Sequence, residues 1–277
     1  MQEFDAIRPY SDEETAPAIK RLVNDREFLD MVGRFKSPLA AKWAPAVLRM
    51  FVRRWLVGNF GHYHRVDDLQ AELSKYVGEL VESTTSRVTH SGLENLSKTN
   101  AHLFISNHRD IVFDPMVVNY LLFQNGFLTT RIAIGDNLLQ NRVFAEMMRL
   151  NKSFVVRRNM TSPREMRDAY LTLSGFINHS IDTNHSIWIA QREGRAKDGI
   201  DATDPAIIKM FYMSRKKSGL DFGEAMNRLH IVPVSIAYEY DPCDADKARE
   251  LEVKSRTGSY QKTEGEDSEQ IVKGLTG

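Results

Sequence analysis

Leu103-Phe104-Ile105-Ser106-Asn107-His108-Arg109-Asp110-Ile111-Val112-Phe113-Asp114-Pro115 is the stretch on which the reading of this chain turns. Its apolar opening, Leu103-Phe104-Ile105, reads as the end of a buried strand. Asp114-Pro115 reads as a helix start. Aspartate is a favoured N-cap, and proline suits the first helical position because its missing N–H would have no partner there anyway. His108 therefore stands between a strand end and a helix start with a carboxylate nearby. Imidazole titrates near neutral pH and a carboxylate can hold it in one tautomer, so the pair is a candidate general base. No nucleophile stands in an elbow context here, which points to activation of a substrate hydroxyl rather than of an enzyme side chain. The segment alone does not decide the matter. A histidine after a strand is commonly a structural hydrogen bonder, and the Asp-Pro pair recurs at Asp204-Pro205 with no chemistry implied.

Outward from this stretch, apolar strands alternate with helices. Strand candidates cover residues 102–106, 131–134, 153–157, 186–190 and 231–240, and helices follow Asp114, Asp136, Ser162 and Asp204. Ser162-Pro163-Arg164-Glu165 is a capping box. The alternation predicts an α/β fold with a largely parallel central sheet flanked by helices on both faces. Ligands gather beyond the carboxyl ends of such strands, and His108, Arg157 and Arg195 each follow a strand candidate.

Residues 1–86 show little β-branched alternation and read as a helical N-terminal region, leaving 87–277 as the α/β domain. Within the first region, Trp43 to Gly58 places Val47, Leu48, Phe51, Val52, Trp55 and Leu56 on one helical face. Arg49 and Arg53 fall opposite, with Arg54 at the rim. This is the pattern of an interfacial membrane helix, and equally of a helix packed on its own protein. His62, His64, Asp67 and Asp68 are poor metal ligands at this spacing, since the Asp-Asp pair reads as a helix start. The tail from Glu250 reads as a mobile excursion with short helical pieces, and its ending at Gly277 suggests an incomplete domain.

The 277 residues suffice for a sizeable core, and 42% hydrophobic with 27% charged residues is ordinary for a globular protein. Lys+Arg and Asp+Glu both number 37, so no global field points to nucleic acid; an anion site must be a local cluster. The single cysteine, Cys243, excludes an internal disulfide framework and suits a reducing compartment. The acidic N-terminus lacks a secretory signal, and no run approaches the ~18–20 apolar residues of a membrane span. Walker A, G-x-G-x-x-G and paired C-x-x-C patterns are absent, which leaves nucleotide and zinc chemistry without support.

The opening stretch resembles the first block of the glycerolipid acyltransferase superfamily, which includes glycerol-3-phosphate and lysophosphatidic acid acyltransferases. The family signature is a histidine, four residues and an aspartate. Five residues, Arg109 to Phe113, intervene here, so the spacing is one longer. Asp110 is the other candidate partner; Asp114 is favoured because Pro115 and an apolar run follow it as in the family. Three further blocks resemble the family's in order. Ser153-Phe154-Val155-Val156-Arg157-Arg158 is similar to the second, and Gln191-Arg192-Glu193-Gly194-Arg195-Ala196-Lys197 to the third, with Arg195 one residue closer to Glu193-Gly194 than usual. Ile231-Val232-Pro233-Val234-Ser235-Ile236 is similar to the fourth. Each is weak alone; four in order over nearly half the chain are specific.

The resemblance implies acyl transfer from acyl-CoA or acyl-ACP, as co-substrate, to glycerol 3-phosphate or its 1-acyl derivative, with no cofactor and no metal. It casts His108 as the base and Asp114 as its orienting carboxylate. Arg157, Arg158, Arg195 and Lys197 become candidates for the acceptor phosphate, and Arg109, Glu193 and Gly194 for substrate positioning. It further implies a cytoplasmic protein peripheral to the inner membrane face. Alternatives are another lysolipid acceptor, or a catalytically impaired homologue that only binds lipid phosphate.

Overall fold

All four side chains of strand β1 (Leu103–Ser106) are buried. Successive side chains of a strand point to opposite sides, so the sheet is covered on both faces at this strand. The structure, a computed structural model, describes residues 2–263 and 265–276. Before β1 come helices α1 (Asp12–Leu22), α2 (Arg26–Lys36), α3 (Pro38–Trp43), α4 (Pro45–Phe60) and α5 (Val66–Thr84). After it run α6 (Phe113–Gln124), β2 (Arg131–Gly135), α7 (Arg142–Leu150), β3 (Ser153–Val156), α8 (Pro163–Asp182) and β4 (Ile187–Ala190). The chain closes with α9 (Pro205–Tyr212), α10 (Phe222–Asn227), β5 (Ile231–Val234), α11 (Asp244–Thr257) and α12 (Glu266–Thr276). The strands form one parallel sheet in the order β3-β2-β4-β1-β5, so the expected α/β architecture with a helical N-terminal region is what the chain adopts.

Contacts divide the described chain into two units. One holds residues 1–6, 74–133 and 159–277; the other holds 7–73 and 134–158. In the first, β1 lies between β4 and β5, with Ile105 level with Ile189 on one side and Pro233 on the other. A proline cannot donate to a ladder, which suits β5 to the sheet edge. The strand expected over residues 231–240 ends at Val234, because beyond it the backbone of Ile236 bonds to the Asn107 side chain instead of to a ladder. The short helical pieces expected of the tail are the end of α11 and all of α12, whose Gln270 and Ile271 are buried.

Helix α6 begins at Phe113, not after Asp114. Its first N–H groups find their acceptor upstream: Asp110 Oδ1 accepts from Val112 N at 2.9 Å and Phe113 N at 2.8 Å. The capping role expected of Asp114 thus falls to Asp110.

The core of the second unit gathers Ile19, Leu22, Phe28, Val52, Leu56, Leu69, Val143 and Leu150. Helix α4 contributes Val52 and Leu56 to it, whereas Trp43, Val47, Met50 and Phe51 are exposed, Trp43 at 81%. The apolar face expected of this segment is therefore two faces, one in the core and one outside. Two of its arginines are engaged with the protein itself: Arg49 donates to Asp30 at 2.8 Å and Arg53 to Asn24 at 3.0 and 2.9 Å.

In the same unit Ser11 and Glu14 form a capping box, and Arg8 donates to Glu14 at 2.5 Å. That bond, more than any other influence, lowers the Glu14 carboxyl from its usual 4.5 to about 2. A depressed folded-state pKa stabilises the fold above the unfolded value and ceases to do so as pH falls through the folded one. Arg8→Ala should therefore lower the melting temperature slightly at pH 7, with the difference fading between pH 4.5 and about 2. Partial exposure keeps the effect within about 1 kcal/mol. Thermal melts of both proteins across that range check it; an equal deficit at pH 2 would assign Arg8 another role.

Candidate active site

The loop between β1 and α6 carries His108. Its Nδ1 lies 2.8 Å from Asp114 Oδ2. Asp114 is wholly buried, and a charged carboxylate survives there only if its oxygens are satisfied. Oδ2 also accepts from Arg109 N at 2.6 Å and Asp110 N at 3.0 Å, while Oδ1 accepts from the Tyr238 hydroxyl at 2.8 Å. A carboxylate only accepts, so Nδ1 is the donor and the neutral ring keeps its lone pair on Nε2. The ring meets the indole of Trp188 edge to face, with centroids 5.8 Å apart.

Backbone bonds tie the third block to this loop. Gln191 N donates to Ser106 O at 2.7 Å, and Ala196 N to His108 O at 2.8 Å. Between them Gly194 takes a left-handed φ of +77°, where a side chain would strain the turn. The following Arg195 is buried. Its Nη2 donates to Gln270 of α12, and its Nη1 is a buried donor with no protein partner. Lys197 pairs with Glu250 of α11 at 2.5 Å, and Glu193 is exposed. Arg109 extends its guanidinium to Asp201 at 2.7 Å, with Asp241 at 3.8 Å. The fourth block joins through Asn107, whose Oδ1 accepts from Ile236 N and whose Nδ2 donates to Ile236 O, both at 2.8 Å.

Blocks one, three and four are thus assembled within one unit. Arg157 and Arg158 of the second block belong to the other unit and are exposed after β3, where Arg158 N donates to Asp136 Oδ2 at 3.2 Å. Among the described residues, no three or more His, Cys, Asp or Glu side chains gather as a metal site would require. Burial, followed by the charge of Asp114, raises the Tyr238 hydroxyl well above its usual 10.0, so it remains a donor throughout the working pH range. Tyr238, Trp188, Asp201 and Gln270 do not stand out in the sequence. Only Asn107 carried a signal, as the neighbour of His108.

The acyltransferase family model, described as "Acyltransferase", matches residues 87–237. No curated protein matches the chain. Among solved structures, chloroplast FtsY from Physcomitrella patens is similar at 13% identity, covering 95% of this chain and 85% of that one. Its TM-score is 0.29, too low to bear on fold or function.

Proposed function

We propose that this chain, which belongs to the acyltransferase family, moves a fatty acyl group from acyl-CoA or acyl-ACP to a hydroxyl of glycerol 3-phosphate or 1-acylglycerol 3-phosphate. The observation that carries the reading is the 2.8 Å bond between His108 Nδ1 and buried Asp114. His108 Nε2 takes the acceptor's hydroxyl proton as the oxygen attacks the thioester carbonyl. The carbonyl C–S bond then breaks, the ester remains on the acceptor, and the departing sulfur takes the proton back from the imidazolium. Asp114 orients the ring and balances its charge at the protonated stage. General-base help of this kind is worth about 10²–10⁴-fold.

The acceptor's phosphate needs donors arranged for a dianion. Arg195 supports this part of the reading, because its buried Nη1 has a hydrogen bond still to give. Lys197, paired with Glu250, adds a point charge. Arg109, Glu193 and Gly194 shape the loops that receive the acceptor. The test is thioester turnover with each donor against glycerol 3-phosphate, lysophosphatidic acid and a neutral lysolipid. Release of thiol with a phosphate-bearing acceptor only is the expected result. Binding of the acceptor without turnover by any donor would instead make the chain a lipid-phosphate binder of impaired catalysis.

The same reading places the protein on the cytoplasmic membrane surface, where its acyl-bearing substrates and products partition. No helix among the described residues is long and apolar enough to cross a membrane. The attachment surface is the outer face of α3 and α4: Leu39, Trp43, Val47, Met50 and Phe51 are exposed, and Lys42 and Arg54 are exposed along the same helices. Apolar insertion beside cations is the pattern of an interfacial helix on anionic lipid. Each cation adds up to about 1 kcal/mol near the headgroups. Sedimentation with anionic vesicles should capture the protein at low salt and lose it as salt rises. Trp43→Glu with Phe51→Glu should abolish capture and leave the melting temperature nearly unchanged, since both side chains are already exposed. Wild-type protein that ignores such vesicles at low salt sinks the attachment.

A further inference from the structure

We propose that Tyr238, held in place by Asn107, is a positioning residue for the His108–Asp114 pair; the inference rests on the general-base reading of His108. Tyr238 lies beyond β5, where the chain is neither strand nor helix. What keeps this segment beside the site is the Asn107 carboxamide, which takes both the N–H and the C=O of Ile236 at 2.8 Å, as a neighbouring strand would. The residue next to His108 thereby anchors the segment that returns a hydrogen bond to His108's partner.

The division of labour on Asp114 gives that bond its purpose. Oδ2 serves the imidazole and two backbone N–H groups, whereas Tyr238 is the one hydrogen-bond donor to Oδ1 among the described residues, at 2.8 Å. With Oδ1 held, the carboxylate cannot rotate Oδ2 away from Nδ1. The phenol also draws charge from the carboxylate and so weakens its pull on the imidazole proton. The charges around Tyr238 are acidic: Asp114, Asp110 and Asp241. Arg109 spans Asp201 and Asp241, and α12 brings Gln270, which is neutral, to Arg195.

The test is the pH dependence of kcat/KM for Tyr238→Phe, alongside full kinetics at the optimum. The variant keeps the ring and loses the donor. Removing one hydrogen bond to a charged group should lower kcat about 10–100-fold, with both KM values unchanged within about twofold. The acidic limb should move to higher pH, because a carboxylate with one hydrogen bond fewer favours the imidazolium. Fluorotyrosine at position 238, a stronger donor of the same shape, should move the limb to lower pH. A folded Tyr238→Phe with the wild-type limb overturns the proposal, whether its kcat is retained or lost, since the second outcome is a structural role only. Should the Phe variant fail to fold, an unmoved limb in the fluorotyrosine protein overturns it equally. An active His108→Ala would overturn the general-base reading instead, and so separates the two failures.

Discussion

His108→Ala should lower acyl transfer by about 10²–10⁴-fold, the range that general-base catalysis contributes, with little loss of thermal stability. The ring is anchored by one bond to Asp114 and one edge-to-face contact with Trp188, so its removal leaves the loop's backbone bonds intact. Asp114→Asn should be crippled as well. An amide placed there can turn its NH₂ toward Nδ1 and impose the wrong tautomer, as well as failing to balance the imidazolium. Asp110→Asn separates chemistry from capping. Its Oδ1 accepts from Val112 N and Phe113 N, bonds that an asparagine oxygen reproduces, so it should retain most activity. Steady-state rates and melting curves for the three variants check the assignment. A dead Asp110→Asn beside an active Asp114→Asn would reverse it.

Arg195→Ala should raise the acceptor's KM about 10–100-fold, the effect of losing one charge-assisted hydrogen bond to phosphate, while the donor's KM stays within about twofold. Arg195 is buried and bonded to Gln270, so melting curves must accompany the kinetics. Arg195→Lys supplies the control: it keeps the charge and loses the planar fork, and should fall between wild type and alanine. Equal changes in both KM values, or a lysine variant no better than alanine, would make Arg195 a structural residue holding α12.

Several features of the fold were legible because they depend on neighbours in sequence. The apolar runs ending at Ser106, Val156 and Ala190 fixed three strand ends to within a residue, since a buried parallel strand must be apolar throughout. Ser162 caps α8 through Glu165 N, one half of the expected capping box, while the Glu165 carboxylate accepts from Thr161 rather than from Ser162 N. Helix α4 was misread for a related reason. A helical wheel shows which residues are apolar but not how wide a stripe the core will cover, and here the core took Val52 and Leu56 and left Phe51 and Val47 outside. In the tail the helical pieces were legible, but the charged composition hid Gln270 and Ile271, which are buried.

The chain's local chemistry determined by itself that a histidine would stand at the end of a parallel strand with two aspartates in reach. Which aspartate faces the imidazole was a matter for the tertiary structure. Asp110 and Asp114 lie two and six positions from His108, and both are compatible with the motif. The choice is made by where each carboxylate is satisfied: Asp110 at the unpaired N–H groups that open α6, Asp114 between the imidazole and a tyrosine 124 residues further on. A buried carboxylate is stable only where its whole set of donors converges, and such a set, drawn from distant parts of the chain, exists only once the sheet has brought those parts together.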